Sequence, residues 1–203
     1  MSSQEHRIFL VDASSSMGPY WDAAKENTIG QLQACKKGDQ VTIYTFATEI
    51  KTIFEGDATQ GGWEELIEKL LPVGSTCLNR ILAQTKKTVS VDEDKKYIIV
   101  VLSDGENTIW DDNHKRDEEL ETARKNVAYL TEKTELWWVA IGDNAFEAAK
   151  EIYKVPLDQV IKVTANSREL RRAGLEMASI ASQGTNDRVL GMRRMATASQ
   201  SAP

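Results

Sequence analysis

The chain is poor in the residues that usually announce a chemistry. Its 203 residues include two cysteines and two histidines. Cys35 and Cys77 stand in neither a Cys-x-x-Cys pair nor a Cys/His cluster, which argues against zinc. A disulfide between them stays open. Their local patterns place both on inward-facing helices, so buried free thiols in a reducing compartment are expected. Positive charge is in deficit: the formal net charge is −6, the wrong sign for a protein that must contact phosphates, so no nucleic-acid partner is expected. No Gly-x-x-x-x-Gly-Lys phosphate loop occurs. The first residues lack a basic stretch followed by a signal-type apolar segment. The longest apolar runs, such as residues 97–102, are far too short to cross a bilayer. No membrane role and a cytoplasmic location are therefore expected.

What is present is ordinary globular protein, with 41% hydrophobic and 28% charged residues. That length suits one α/β domain with a full core, or a domain and a tail. Strands are expected at 7–12, 40–46, 49–54, 97–102, 135–141 and 159–163. Helices are expected at about 22–36, 63–71, 77–89, 118–131, 145–153 and 166–179, the last opened by Asn166 and Glu169 at capping-box spacing. Two residues separate the second and third strands, which predicts an antiparallel hairpin with Glu49 and Lys51 on an edge strand. Residues 92–96 read as a charged turn. The alternation predicts a doubly wound, mostly parallel central sheet with one antiparallel edge strand and helices on both faces. Residues 1–179 form that domain. Residues 180–203, rich in Ser, Ala, Thr, Gln and Gly, read as a polar, flexible C-terminal tail.

Three polar turns carry the chemistry. The apolar run Ile8 to Val11 stops at Asp12, with Ser14 and Ser16 at alternate positions beyond it. Gly74-Ser75-Thr76 opens a helix, and Ser103-Asp104-Gly105 follows the most apolar strand of the chain. In a doubly wound sheet, ligands sit at the carboxyl ends of strands beside the switch in strand order. Carboxylates and hydroxyls are hard oxygen donors suited to Mg2+, Mn2+ or Ca2+. The alternative is a strand end whose Asp and Ser side chains cap the next helix.

The order Asp12-x-Ser14-x-Ser16, then Gly74-Ser75-Thr76, then Ser103-Asp104-Gly105 resembles the von Willebrand factor type A domains, with Ser103 in place of the family's threonine. Gly38-Asp39-Gln40-Val41 and Phe46 also resemble that family's second strand and its approach. The resemblance covers roughly residues 6–179 and implies an intact metal-ion-dependent adhesion site. In it, Ser14, Ser16 and Thr76 are hydroxyl ligands, and Asp12 and Asp104 act directly or through water. It implies a cofactor of Mg2+ (or Mn2+ or Ca2+), with one coordination position open to a Glu or Asp of a protein partner. It also implies an intracellular, stand-alone protein acting as an adaptor or subunit of a larger assembly, including assemblies with an AAA+ ATPase. Tyr20 and Trp21 beyond Ser16, and Trp110, Asp112 and His114 beyond Asp104, are expected at the partner-binding rim. Trp137 and Trp138, within a strand pattern, are expected in the core.

The competing class is a Mg2+-dependent hydrolase or phosphotransferase using Asp12 and Asp104. No Asp-x-Asp follows the first strand, and neither His6 nor His114 lies in a catalytic motif. Ser14 and Ser16 lack a nucleophile elbow. A binding module, not an enzyme, is expected.

Overall fold

In β1 (Glu5–Asp12) the alternation of a strand meets apolar residues on both sides. Phe9 and Val11 enter one half of the core, Ile8 and Leu10 the other, and all four are buried. A strand so buried belongs inside a parallel sheet. β4 (Lys96–Ser103) and β5 (Glu135–Ile141) repeat the pattern, and Trp137 and Trp138 go to opposite faces at 2% and 1% exposure. Each large side chain taken from water here contributes about 1.5–3 kcal/mol. A computed structural model of the chain describes residues 5–92, 95–183 and 185–201. The expected charged turn at 92–96 falls partly on residues 93 and 94, outside the described residues, as do residues 1–4, 184, 202 and 203 of the expected domain and tail.

The remaining strands are β2 (Gln40–Phe46), β3 (Ile50–Asp57) and β6 (Val160–Val163). Their order is β3-β2-β1-β4-β5-β6, parallel throughout except for β3 against β2. The order of connection reverses at β1, so a crevice is expected between the carboxyl ends of β1 and β4. α1 (Trp21–Gln33), α2 (Trp63–Glu68) and α6 (Ser167–Ala181) pack on one face. α3 (Leu78–Val91), α4 (Arg116–Lys133) and α5 (Asp143–Glu147) pack on the other. The predicted cap is made: Asn166 Oδ1 accepts from the Glu169 N–H at 2.8 Å. α1 and α6 approach so closely that a Cβ on Gly174 would lie 2.8 Å from Asn27. α5 runs into a π-helical turn, Ala148–Ile152. Cys35 and Cys77 are free thiols packed on opposite faces of the sheet, so no disulfide joins them.

The C-terminal segment departs from expectation. Thr185–Gln200 is a helix, α7, docked along edge strand β6 rather than a polar tail. Its inward stripe is Arg188, Met192, Met195, Ala196 and Ser199, at helical spacing. Ser199 Oγ accepts from the Lys162 N–H at 2.9 Å, and Gln200 Nε2 donates to the Val160 carbonyl at 3.0 Å, so edge groups of β6 are satisfied by side chains. Arg188 is 3% exposed and binds Glu5 and Glu135 through both nitrogen arms, with Nη2 at 3.0 and 2.9 Å.

Candidate metal centre

β1 and β4 deliver the first and third polar turns to adjacent positions. Asp12 is the last residue of β1 and fully buried. Its Oδ1 accepts from the Ser14 N–H at 2.9 Å, and its Oδ2 from the Ser103 hydroxyl at 2.7 Å. The next residues form a tight turn, Ser15–Tyr20, preceded by Ser14. Ser14 makes no side-chain cap to it. Its Oγ instead lies 3.0 Å from Ser16 Oγ, and Ser16 Oγ donates to Asp104 Oδ1 at 2.9 Å. Capping therefore does not explain these hydroxyls; they face a carboxylate 88 residues away along the chain.

The second turn is bound to the first by backbone. Val73 N–H donates to the Ala13 carbonyl at 2.8 Å, and Ser15 N–H to the Gly74 carbonyl at 2.9 Å. The Ser15 hydroxyl accepts from Gly74 N–H at 2.9 Å. Gly74 has φ 84°, and a Cβ there would sit 2.3 Å from Thr48 Oγ1, so the turn requires glycine twice over. Thr76 follows, held by its N–H to Thr108 Oγ1 at 2.8 Å. Ser16, Thr76 and Asp104 line one cleft of about 530 Å3.

Burial pushes the Asp12 carboxyl up to about 6; the hydrogen bonds of Ser103 and Ser14 oppose this, and the charge of Asp104 adds to it. Burial also raises Asp104, against the Ser16 hydrogen bond. Two carboxylates thus share a poorly solvated corner, and neither forms an ion pair among the described residues. That charge, with hydroxyl oxygens and no nitrogen or sulfur donor, fits a hard dication. Among the described residues no cluster of three or more His, Cys, Asp or Glu is arranged for a metal. The groups gathered at this corner are two carboxylates and the hydroxyls around them.

The expected rim is largely displaced. Trp21 is 5% exposed in the core, its indole N–H satisfied by the Leu70 carbonyl at 2.9 Å, so it is a packing residue and not a contact surface. Tyr20 is half-buried against the same core. Trp110 is half-buried beneath the Arg116 guanidinium, 4.5 Å from its ring centre. Asp112 caps the turn Asn113–Lys115 by accepting from His114 N–H at 2.9 Å, and it lines a separate depression between α3 and α4. His114 is exposed and does not line the site cleft. The walls of that cleft are instead Glu106, Thr108, Glu147 and Glu151, none singled out by sequence reasoning. Ser103, which positions Asp12, was visible only as part of the Ser-Asp-Gly turn.

Residues 8–106 match the family model described as the von Willebrand factor type A domain. No curated protein matches the sequence. Among solved structures, a von Willebrand factor type A protein from Catenulispora acidiphila superposes with a TM-score of 0.68 at 17% identity, over 89% of this chain and 43% of that one. Proximal thread matrix protein 1 of the mussel byssus, solved with a zinc-occupied metal-ion-dependent adhesion site, gives 0.65 at 18% identity, over 89% and 46%. The SpRpn10 von Willebrand factor type A domain gives 0.64 at 12% identity, over 90% and 98%. At these identities the likeness carries the fold. The chain spans less than half the length of the first two. Among the described residues no helix is long and apolar enough to cross a membrane.

Proposed function

We propose that this chain carries a von Willebrand factor type A domain and that it acts as a metal-dependent protein-binding module. Asp12, Ser14, Ser16, Thr76 and Asp104 hold Mg2+, or Mn2+ or Ca2+ in its place, and a Glu or Asp of a partner protein completes the site. A dication there supplies an electrophilic point for an incoming carboxylate. The observation that carries this reading is the run of oxygens Ser14 Oγ, Ser16 Oγ and Asp104 Oδ1, each about 3 Å from the next. Ser16 and Asp104 open onto the cleft that Thr76 also lines, with buried Ser14 and Asp12 behind them.

Binding rather than turnover is favoured by the state of Asp12. A nucleophilic carboxylate needs access to its target. Asp12 has none: it is fully buried, and both its oxygens accept hydrogen bonds. The zinc-occupied relative makes the identity of the ion a question for measurement. Work inside a larger assembly, including one driven by an AAA+ ATPase, and a cytoplasmic location remain parts of this proposal.

The test is calorimetric titration with Mg2+, Mn2+, Ca2+ and Zn2+. Wild type is expected to bind, and Asp12→Ala and Thr76→Ala to lose binding while circular dichroism shows the fold retained. Wild-type affinity in both variants would sink the metal reading.

A further inference from the structure

The two sides of the site differ in chemistry. On the β2 side, residues 70–76 cross the top of the sheet. The bonds from Val73 to Ala13, from Ser15 to Gly74, and from Ser75 N–H to Thr48 Oγ1 at 3.1 Å fix their backbone against the ends of β1 and β2. Leu71 and Val73 are left 74% and 61% exposed. Two large apolar side chains on a tightly held backbone, next to a ligand site, are a contact surface without its cover.

On the β4 and β5 side the cleft is acidic. Glu106 follows β4, and Glu147 and Glu151 come from α5 and the π-helical turn after it; all three are exposed and line the same cleft as Asp104. Lys150 and Lys154 pair with Glu151 at 3.1 and 3.2 Å, and Lys150 also with Glu147 at 3.8 Å, but neither lysine lines the cleft. Among the described residues Glu106 makes no ion pair. Asp12 and Asp104 formally balance one dication, and the three glutamates of the cleft outnumber the two lysines that pair with them from outside it, so this wall stays net negative. A carboxylate arriving alone meets their repulsion, and one arriving beside a cation does not. Exposed pairs such as those of Lys150 and Lys154 exchange partners at little cost.

Resting on the metal-dependent reading above, we infer that this surface takes a protein segment whose coordinating Glu or Asp has a large apolar residue on one flank and an Arg or Lys on the other. The apolar residue lies over Leu71 and Val73. The basic one enters between Glu106, Glu147 and Glu151.

The test uses the full chain and a yeast-displayed heptapeptide library with a fixed central Glu and six random flanking positions. Selection is run in Mn2+ and in EDTA. The Mn2+ pool is expected to be enriched several-fold in Leu, Ile, Phe or Met on one side of the Glu and in Arg or Lys on the other. Leu71→Ser with Val73→Ser should erase the apolar preference, and Glu147→Lys with Glu151→Lys the basic one. All four positions are exposed, and circular dichroism checks the fold of each variant. Peptides enriched in Mn2+ with unbiased flanks, or with biases that the variants leave unchanged, overturn the inference while the metal centre stands. So does the absence of Mn2+-dependent enrichment when calorimetry shows Mn2+ bound. Calorimetry without metal binding removes the parent reading and this inference with it.

Discussion

The same three strands, β1, β4 and β5, gather carboxylates at both ends but surround them differently. At their amino ends acids are gathered with cations: Glu5 meets Arg188, Lys96 at 2.7 Å and Arg7 at 3.3 Å, and Glu135 meets Arg188. At their carboxyl ends Asp12 and Asp104 are gathered with hydroxyls and no cation. Titration follows. Burial raises Glu5, but Lys96 and Arg188 more than offset it, and its carboxyl falls below the ordinary range; Asp12, more deeply buried and with no cation beside it among the described residues, stays raised. Buried charge that is paired within the chain ties its elements to one another, and buried charge left unpaired marks a candidate ligand site. Four changes break or sharpen this contrast, counting the loss of metal binding by Asp12→Ala.

The largest effect on stability belongs to the paired pole. Arg188→Ala leaves the largely buried Glu135 carboxylate without its cation, takes one of three cations from Glu5, and removes the charged anchor of α7. It is expected to cost about 3–5 kcal/mol, as breaking a buried ion pair from one side does. Urea unfolding followed by circular dichroism measures it. A loss near zero would mean that Met192, Met195 and Ala196 alone hold the helix.

That helix also marks the limit of what the sequence conveys. The central strands were legible because Ile8–Val11 and Tyr97–Leu102 are unbroken apolar runs ending in polar turns. The candidate oxygen donors were legible because polar turns after β1 and β4 fall at one sheet edge in this topology. α7 was not, because its stripe begins with an arginine and continues in methionine and alanine, and an inward Arg188 makes sense only beside Glu5 and Glu135, far away in sequence. Trp21 illustrates the same limit at the rim. An indole after a turn reads equally as an anchor or as core, and here the Leu70 carbonyl and the space under α1 decide. Glu147 and Glu151, one helical turn apart, belong to no motif, and only the fold brings them to the cleft that Asp104 lines.

An intermediate effect is set by pH at the paired pole. Burial, helped by the charge of Lys95, holds the His6 ring at a pKa of about 4, below its ordinary 6.5. As pH falls from 6.5 towards 4, the unfolded chain takes a proton that the folded one refuses, so stability falls over that window. Glu5, lowered by its cations, acts in the same sense below its ordinary value. His6→Phe keeps a ring beside Tyr97 and gives up the 2.8 Å contact of His6 Nε2 with Thr42 Oγ1. It is expected to shrink the acid loss by on the order of 1–2 kcal/mol, discounted for solvent screening. Urea midpoints at pH 7 and pH 4.5 in EDTA, compared between the two proteins, isolate the ring; an unchanged difference would show that His6 titrates normally.

The smallest effect lies at the unpaired pole and asks what holds Asp12 there. Ser103 is fully buried, and its hydroxyl donates to Asp12 Oδ2 at 2.7 Å. Ser103→Ala removes that donor without touching a proposed ligand, so Asp12 is less well oriented and its ionised form less favoured. A weakening of Mg2+ or Mn2+ binding by about tenfold, near 1.4 kcal/mol, is expected, as for other groups that orient a metal's ligands. Ser103→Thr restores the hydroxyl and should recover the affinity. That recovery separates a hydrogen-bonding role from simple filling of space, since threonine adds a methyl to a closed site. Equal affinities for alanine and wild type would mean that the Ser14 N–H alone suffices to place the carboxylate.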